Sequence, residues 1–335
     1  MNRMLVSALA VAGIFALSTA ASADPVKIRV GWVAAPGELP SIMAFKKDVA
    51  KHWDKSYSFE AIHFQGTPPM MTAMASNQVD LTPLSYSTLG LGIINAGMSD
   101  LTIVADEIRD GVPGWRTNEF MVLKDSPIKT VADLKGKTLA TNAIGAGIDL
   151  DMEYMLFKNH MTRPRDYNVV EAAFGNMPSL LLEHKVDLIT AINPFAQNPQ
   201  LRAAARDLYT MRDAVGGETE LAFWTGRGAF LKANRAAVVD FFEDYLRIMR
   251  WYLDPANRTE MLKIVSDFMK LPVQALDATT FNHQDFYRDP NAMPNMKALQ
   301  ANVDMAQTMG IVKQHIDVAK VTDLSYIEAA AKRLQ

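Results

Sequence analysis

Two short stretches of this chain combine hydrogen-bond donors in a way suited to capturing an anion. In one, Gly145-Ala146-Gly147 follows a strand-like Thr138 to Thr141 and Asn142, and opens a helix on which Ile148, Met152, Met155 and Leu156 recur at helical spacing. A helix start offers unpaired backbone N–H groups and the positive end of the peptide dipoles, and glycines lacking a Cβ let a ligand approach the main chain. In the other, Ser85, Tyr86 and Ser87 put three hydroxyls on one loop, which suits the orientation of a carboxylate or sulfonate. Thr67 and Asn193 occupy loops at corresponding places further along. Arg116 offers a cation for the same anion, bidentate where geometry permits.

Other chemistries lack their residues. G-A-G followed by Ile148 and Asp149 has neither P-loop nor dinucleotide spacing, which disfavours nucleotides. The six histidines have no ligand-like spacing, and Asp149, Asp151 and Glu153 alternate at i and i+2, which do not share a helix face, so no metal site or other cofactor is expected. There is no cysteine and no G-x-S-x-G, so no catalytic residue is expected. A formal charge of −3 without a basic block argues against nucleic acid as the partner.

The first residues carry Arg3, an apolar run from Met4 to Leu17 and the small-residue end Ala21-Ser22-Ala23. That pattern is a secretory signal, residues 1–23, cleaved after Ala23. The run is shorter than the roughly 20 residues a membrane span needs. The full sequence, with 49% hydrophobic and 21% charged residues, has an ordinary globular composition, and a mature chain of residues 24–335 is too long for one core.

The elements that must position these donors follow from periodicity. Lys27 to Val33 alternates as an opening strand, and the loop after it, with Pro36, Gly37 and Glu38, faces the cleft end of an open α/β sheet. A helix from about Pro40 to Trp53 follows, then a strand from Ser58 to Phe64, a helix through Ala75, and a strand from Val79 that ends in the loop Pro83 to Ser87. Phe64, Pro68 and Val79-Asp80-Leu81 are echoed by Phe174, Pro178 and Val186-Asp187-Leu188. The echo predicts two βαβ-type halves presenting equivalent loops to a shared cleft. Glu119 to Lys124 and the strand pair Glu220 to Leu231 read as crossings between the halves, which favours hinge closure. Lobe 1 is then residues 24–118 plus 225–335, and lobe 2 is residues 119–224. Helices are predicted at Asn234 to Leu253, Thr259 to Lys270, Pro294 to Met309 and Leu324 to Leu334, all packing on the first lobe. Trp224, at the second crossing, is the candidate aromatic wall over a ligand, with Trp32 and Trp115 as rivals.

The phrase D-S-P-I-K-T-V-A-D-L-K-G-K-T-L-A-T-N, residues 125–142, resembles ABC-transporter solute-binding proteins of the sulfonate, taurine and nitrate group, which are type II periplasmic binding proteins. The resemblance continues to about Leu231. It implies an α/β fold of two lobes, each a mixed sheet flanked by helices, with the ligand cleft between them. It also implies a periplasmic, monomeric protein that closes on a small organic anion and presents it to an ABC permease of the inner membrane. Where that group carries hydroxyls before its long helix, this chain has Ala143, Ala146 and Gly147, leaving backbone donors. Asn193-Pro194-Phe195 stands where the group has W-D-P-[YF], so Phe195 is expected to stack on the ligand body. The aromatic and methionine content points to a ligand with an apolar or aromatic body. The alternatives are a periplasmic sensing subunit, or an enzyme on the same scaffold. The related enzymes require a reactive cysteine that this chain lacks.

Overall fold

The structure is a computed structural model that describes residues 24–335; the expected signal, residues 1–23, lies outside the described residues. The first lobe begins with β1 (Val26–Trp32), where Ile28 and Val30 are fully buried, as the alternation requires. It continues with β2 (Tyr57–His63), α1 (Thr67–Ala75), β3 (Leu81–Leu84), α2 (Tyr86–Ile94) and β4 (Leu101–Asp110). The chain then builds a second lobe from β5 (Glu119–Leu123), β6 (Thr138–Thr141), α3 (Gly147–Lys158), β7 (Asn168–Glu171), α4 (Met177–Leu182), β8 (Leu188–Ala191), α5 (Pro199–Ala204), β9 (Ala205–Thr210) and α6 (Met211–Val215). It returns through β10 (Thr219–Arg227) and ends in α7 (Gly228–Ala233), α8 (Arg235–Leu253), α9 (Arg258–Met269), α10 (Val273–Asp277), α11 (Met296–Thr308) and α12 (Ser325–Lys332).

The two five-stranded sheets are built alike. The first has the order β2-β1-β3-β10-β4 and the second β7-β6-β8-β5-β9. In each, the second strand in the order runs parallel to both neighbours, and the fourth, β10 or β5, which adjoins a crossing between the lobes in sequence, runs antiparallel to its neighbours. The echoed Val-Asp-Leu motifs serve the same purpose in both. Asp80 accepts the main-chain N–H of Arg29 at 2.9 Å and Asp187 that of Thr138 at 3.0 Å, so each carboxylate, just before β3 or β8, clamps the adjacent parallel strand, β1 or β6.

Several expected elements are corrected. The helix predicted from Pro40 to Trp53 is two short 3₁₀ turns, Leu39–Ser41 and Met43–Val49, interrupted where Ile42 and Lys46 leave helical dihedrals. Pro83 and Leu84 belong to β3 rather than to a loop, and α2 starts directly after Ser85. The strand pair at Glu220 to Leu231 is one strand, β10, followed by α7. The expected boundary at 224/225 falls inside β10. Thr219 already pairs with Asp110 of β4, so the return to the first sheet comes at residues 216–218. The C-terminal helices pack on the first lobe as expected, with α8, α9 and α12 contributing to the core around β1 and Trp224.

Candidate functional site

Three helix starts converge on one cavity between the lobes. Thr67 opens α1, Ser85 precedes α2, and Ala146 and Gly147 begin α3; all four line the cavity together with Glu38 and Asn142. The enclosed cavity measures about 40 Å³, a narrow space in which the two rims nearly meet. The remaining wall is apolar. Val33 and Ala34 follow β1, Ile108 lies on β4, and Leu221 and Ala222 lie on β10; Ile148, Phe174 and Ile192 come from the second lobe. Phe286, from the segment before α11, completes it.

The polar end is organised by local chemistry. Gly145 adopts φ +85, a left-handed conformation natural to glycine, and so turns the chain from β6 into α3. Its N–H donates to Asp149 Oδ2 at 2.8 Å, and Arg163 lies 3.4 Å from the same carboxylate. Asp149 is thus occupied behind the loop. Among the described residues no acceptor takes the N–H groups of Gly147 and Ile148, which remain available at the cavity wall. Opposite them, Ser85 Oγ lies 3.0 Å from Thr67 Oγ1, 2.9 Å from Ser87 Oγ and 3.0 Å from Thr88 Oγ1. This hydroxyl cluster can turn a hydrogen toward a ligand oxygen, because each hydroxyl can act as donor or acceptor.

The lobes touch at the same place. Gln65 and Asn142 exchange side-chain-to-backbone hydrogen bonds of 3.1 Å, Ser87 donates to Gly145 O at 2.8 Å, and Tyr86 donates to Asp151 Oδ1 at 2.6 Å. A Cβ on Gly147 would stand 2.9 Å from that of Ser85, and one on Gly66 would overlap the Ala143 methyl. Glycine at these positions is therefore what lets the rims meet.

The expected site residues divide into three groups. Glu38, Thr67, Ser85, Asn142, Ala146 and Gly147 come together at the cavity. Gly37 supports its wall from behind, in contact range of Phe286 and with its carbonyl accepting from Arg288 at 2.6 Å, whereas Pro36 is buried but does not line the cavity. Tyr86 is fully buried and spans the lobes rather than lining the cavity. Asn193 and Arg116 line a smaller neighbouring recess, where Asn193 donates to Gln284 O and Arg116 pairs with Glu119. Arg116 is thus already partnered. Phe195 stacks near Gly175 in the second lobe, away from the cavity lining. Trp224 is a core residue, with its ring centroid 5.3–5.6 Å from those of Phe241, Phe242 and Tyr245. Trp224 packs toward α8, while the register of β10 against β4 shifts at Glu220/Ala222 and Ala222/Phe223, and the cavity receives the adjacent Leu221 and Ala222 instead. The rivals do no better: Trp32 packs on His63 and Trp115 on His283.

The apolar wall was missed by sequence reasoning. Ile148, Phe174 and Ile192 could have been found from their places beside the glycine loop and the echoed motifs. Phe286 had no such signal. It reaches the cavity because residues 281–288 run across the seam, with Arg116 N–H bonded to His283 O and Asn193 to Gln284 O.

Paired, equally ordered sheets with a cavity at the seam between them define the two-lobed fold of type II periplasmic binding proteins. Residues 115–256 match the family described as NMT1/THI5 like. Over 135 residues the chain is 29% identical to a putative aliphatic sulfonates-binding protein of Escherichia coli (strain K12), the match covering 39% of this chain and only 40% of that relative. Among solved structures it is similar to the alkanesulfonate-binding protein SsuA of Xanthomonas axonopodis pv. citri, bound to MOPS, with a TM-score of 0.69, 18% identity and coverage of 90% of this chain and 99% of that one. The nitrate-binding protein NrtA of Synechocystis PCC 6803 gives 0.69 at 15% identity, covering 93% and 89%. The desulfurization enzyme DSZB gives 0.64 at 11% identity, covering 92% and 100%. The resemblance read from residues 125–142 is borne out by these matches, while the structural likenesses, all below 20% identity, speak to fold.

Proposed function

We propose that this chain is the solute-binding component of an ABC importer, which captures a small organic anion by closure of its lobes and delivers it to an inner-membrane permease. The ligand class is a sulfonate or carboxylate with a compact apolar body. One observation carries the reading: helix starts from both lobes, with two free N–H groups and a hydroxyl cluster, meet in a cavity whose remaining lining, Glu38 and Asn142 apart, is apolar. Such a site holds a negative charge through fixed dipoles and neutral donors, without burying an unpaired cation. Contacts from both lobes are complete only when the rims meet, so a ligand that uses them stabilises the closed form. The related proteins named for aliphatic sulfonates and alkanesulfonate agree with this class. A periplasmic location after removal of residues 1–23, and a monomeric state, belong to the same proposal.

A thermal-shift screen of sulfonates, aliphatic and aromatic carboxylates, nitrate and pyrimidines tests it. A true ligand at 100 times its Kd adds about 2.7 kcal/mol to folding stability, several degrees in melting temperature. No shift with any sulfonate or carboxylate would remove the assignment. The likeness to DSZB favours one second reading, an enzyme acting on the bound anion. Release of product from a bound sulfonate, followed by mass spectrometry, distinguishes it; recovery of unchanged ligand supports binding alone.

A further inference from the structure

The anion-capturing donors share their narrow cavity with an acid. Glu38 lines the same space as Ser85 and Gly147, is 5% exposed, and is the one acid or base in that lining among the described residues. It is fixed from behind: Val33 N–H donates to its Oε2 at 2.7 Å, and its own N–H donates to Ala34 O at 2.7 Å. Among the described residues no side chain donates to its carboxyl and no cation pairs with it. What faces it is a second acid. Glu107 on β4 accepts from Leu39 N–H at 2.8 Å and from the Tyr245 hydroxyl on α8 at 2.6 Å, and so has donors of its own. Asp106 lies beyond Glu107 on the same strand, and Arg288 of the segment before α11 is committed to Gly37 O, Phe286 O and Asp285. In the second lobe Arg163 holds Asp149 behind the glycine loop and Tyr86 holds Asp151, so neither acid lines the cavity. A buried carboxylate without a cation is far costlier than the same group carrying its proton. Burial, and after it the facing Glu107, push Glu38 up to about 8. At pH 7 the group is therefore mostly an acid, with an O–H to donate.

We infer that Glu38, in its acid form, is a binding residue of the cavity and donates its proton in a hydrogen bond to the head of the anion. The inference rests on the anion-binding reading above and deepens it: the acid is a third neutral donor beside the helix-start N–H groups and the hydroxyls. One carboxyl oxygen stays with Val33 N–H and the other carries the proton. Ionised, Glu38 would set a second negative charge against the ligand in place of a donor, so the anion enters only with the proton present. Above pH 8 each binding event therefore takes a proton from the buffer. No covalent bond of the ligand changes, and nothing is oxidised or reduced.

Calorimetric titration of the purified protein with ethanesulfonate, benzenesulfonate, propanoate and benzoate, at pH 6 and pH 9 and in two buffers of different ionisation enthalpy, tests this. These heads are charged at both values, so a change in affinity belongs to the protein. Binding to the acid form alone should be on the order of tenfold weaker at pH 9 than at pH 6, with uptake of about one proton per ligand at pH 9 and none at pH 6. Glu38→Ala should weaken binding at pH 6 by about tenfold, the loss of one hydrogen bond to a charged group. Glu38→Gln keeps an oxygen for Val33 N–H and puts an N–H donor where the proton was. It should recover most of that loss, and its affinities at the two pH values should differ by less than about threefold, without proton uptake. Asp151→Asn removes the buried acid of the seam and should retain the pH dependence, which separates Glu38 from closure of the lobes. A flat wild-type profile, proton release, pH dependence that persists in Glu38→Gln, or pH dependence that vanishes in Asp151→Asn overturns the role of Glu38. If neither Glu38 variant folds, the wild-type profile and that of Asp151→Asn decide. Binding that is flat with pH leaves the anion-binding reading standing while this inference falls; binding of none of the four probes at either pH removes both.

Discussion

In the first lobe the helices that reach the cavity begin with hydroxyls, Thr67 at the head of α1 and Ser85 before α2; in the second, α3 begins with Ala146 and Gly147 and offers main-chain N–H groups only. The sheets beneath are equivalent strand for strand, down to Asp80 and Asp187 holding Arg29 and Thr138. The difference therefore lies in what each rim adds to a shared scaffold. Hydroxyls rotate to suit a ligand, whereas helix-start N–H groups are fixed in direction and act only on a group brought to them. On the proposed reading, the first rim would hold a solute before closure and the second would complete the site as the lobes close. The absence of side chains at Gly147 and Gly66 is what brings the rims into contact.

The largest expected effect comes from putting a side chain on the fixed rim. Gly147→Asp adds a carboxylate at the proposed anion position and a Cβ 2.9 Å from Ser85, and should weaken binding of any anionic ligand at least 100-fold by calorimetry. Gly147→Ala keeps the N–H and adds only the steric part, so its loss should be smaller; equal losses would show that contact between rims, not charge, dominates. On the adaptable rim, Ser85→Ala removes one donor from a cluster whose other members, Thr67, Ser87 and Thr88, can reorient. A net hydrogen bond to a charged group contributes about 1.5–3 kcal/mol, and partial replacement by those neighbours should hold the loss to about tenfold. A loss as large as that of Gly147→Asp would contradict the division of labour between rims.

A smaller effect should follow from the contact between rims away from the ligand. Tyr86→Phe deletes the 2.6 Å bond to Asp151, whose Oδ2 already has no partner, and leaves a buried carboxyl with none. Burial holds Asp151 well above the usual carboxylate range. Opening of the lobes would hydrate it, so the variant should shift toward the open form, with a larger radius of gyration by small-angle scattering and a several-fold weaker ligand. An unchanged scattering profile with and without ligand would contradict the role given to this bond.

How much of this was legible from residues follows from what each signal encodes. The glycine loop, the hydroxyl triplet and the Val-Asp-Leu echo were readable because they are local: a turn needing φ +85, a helix start, a carboxylate reaching its own sheet. Trp224 was misplaced because one residue of register on a strand decides between core and cleft, and the register of β10 is set by β3 and β4, more than 100 residues away in sequence. Phe286 and the apolar wall were invisible for the same reason, since they meet only when the C-terminal segment crosses the seam. Arg116 looked available as a free cation, but Glu119, three residues on, had already paired with it.

The mildest prediction concerns the empty protein. Glu38 and Glu107 are pushed up to about 8 and about 7, mainly by burial, against an unfolded value near 4.5. Between those values the folded chain holds protons that the unfolded chain has released, so folding stability falls as pH rises. The contribution is complete below about pH 4.5 and is lost as pH passes through 7 to 8. The melting temperature of the ligand-free protein should thus decline from pH 6 to pH 8.5, and Glu38→Gln should flatten that decline without reversing it, because Glu107 still titrates. The second rim provides the control: Gly147→Ala changes no titrating group, so its melting profile should run parallel to that of the wild type. A wild-type profile that rises over this range would mean that both acids are ionised in the folded state, and that charges unseen in the cavity wall already compensate them.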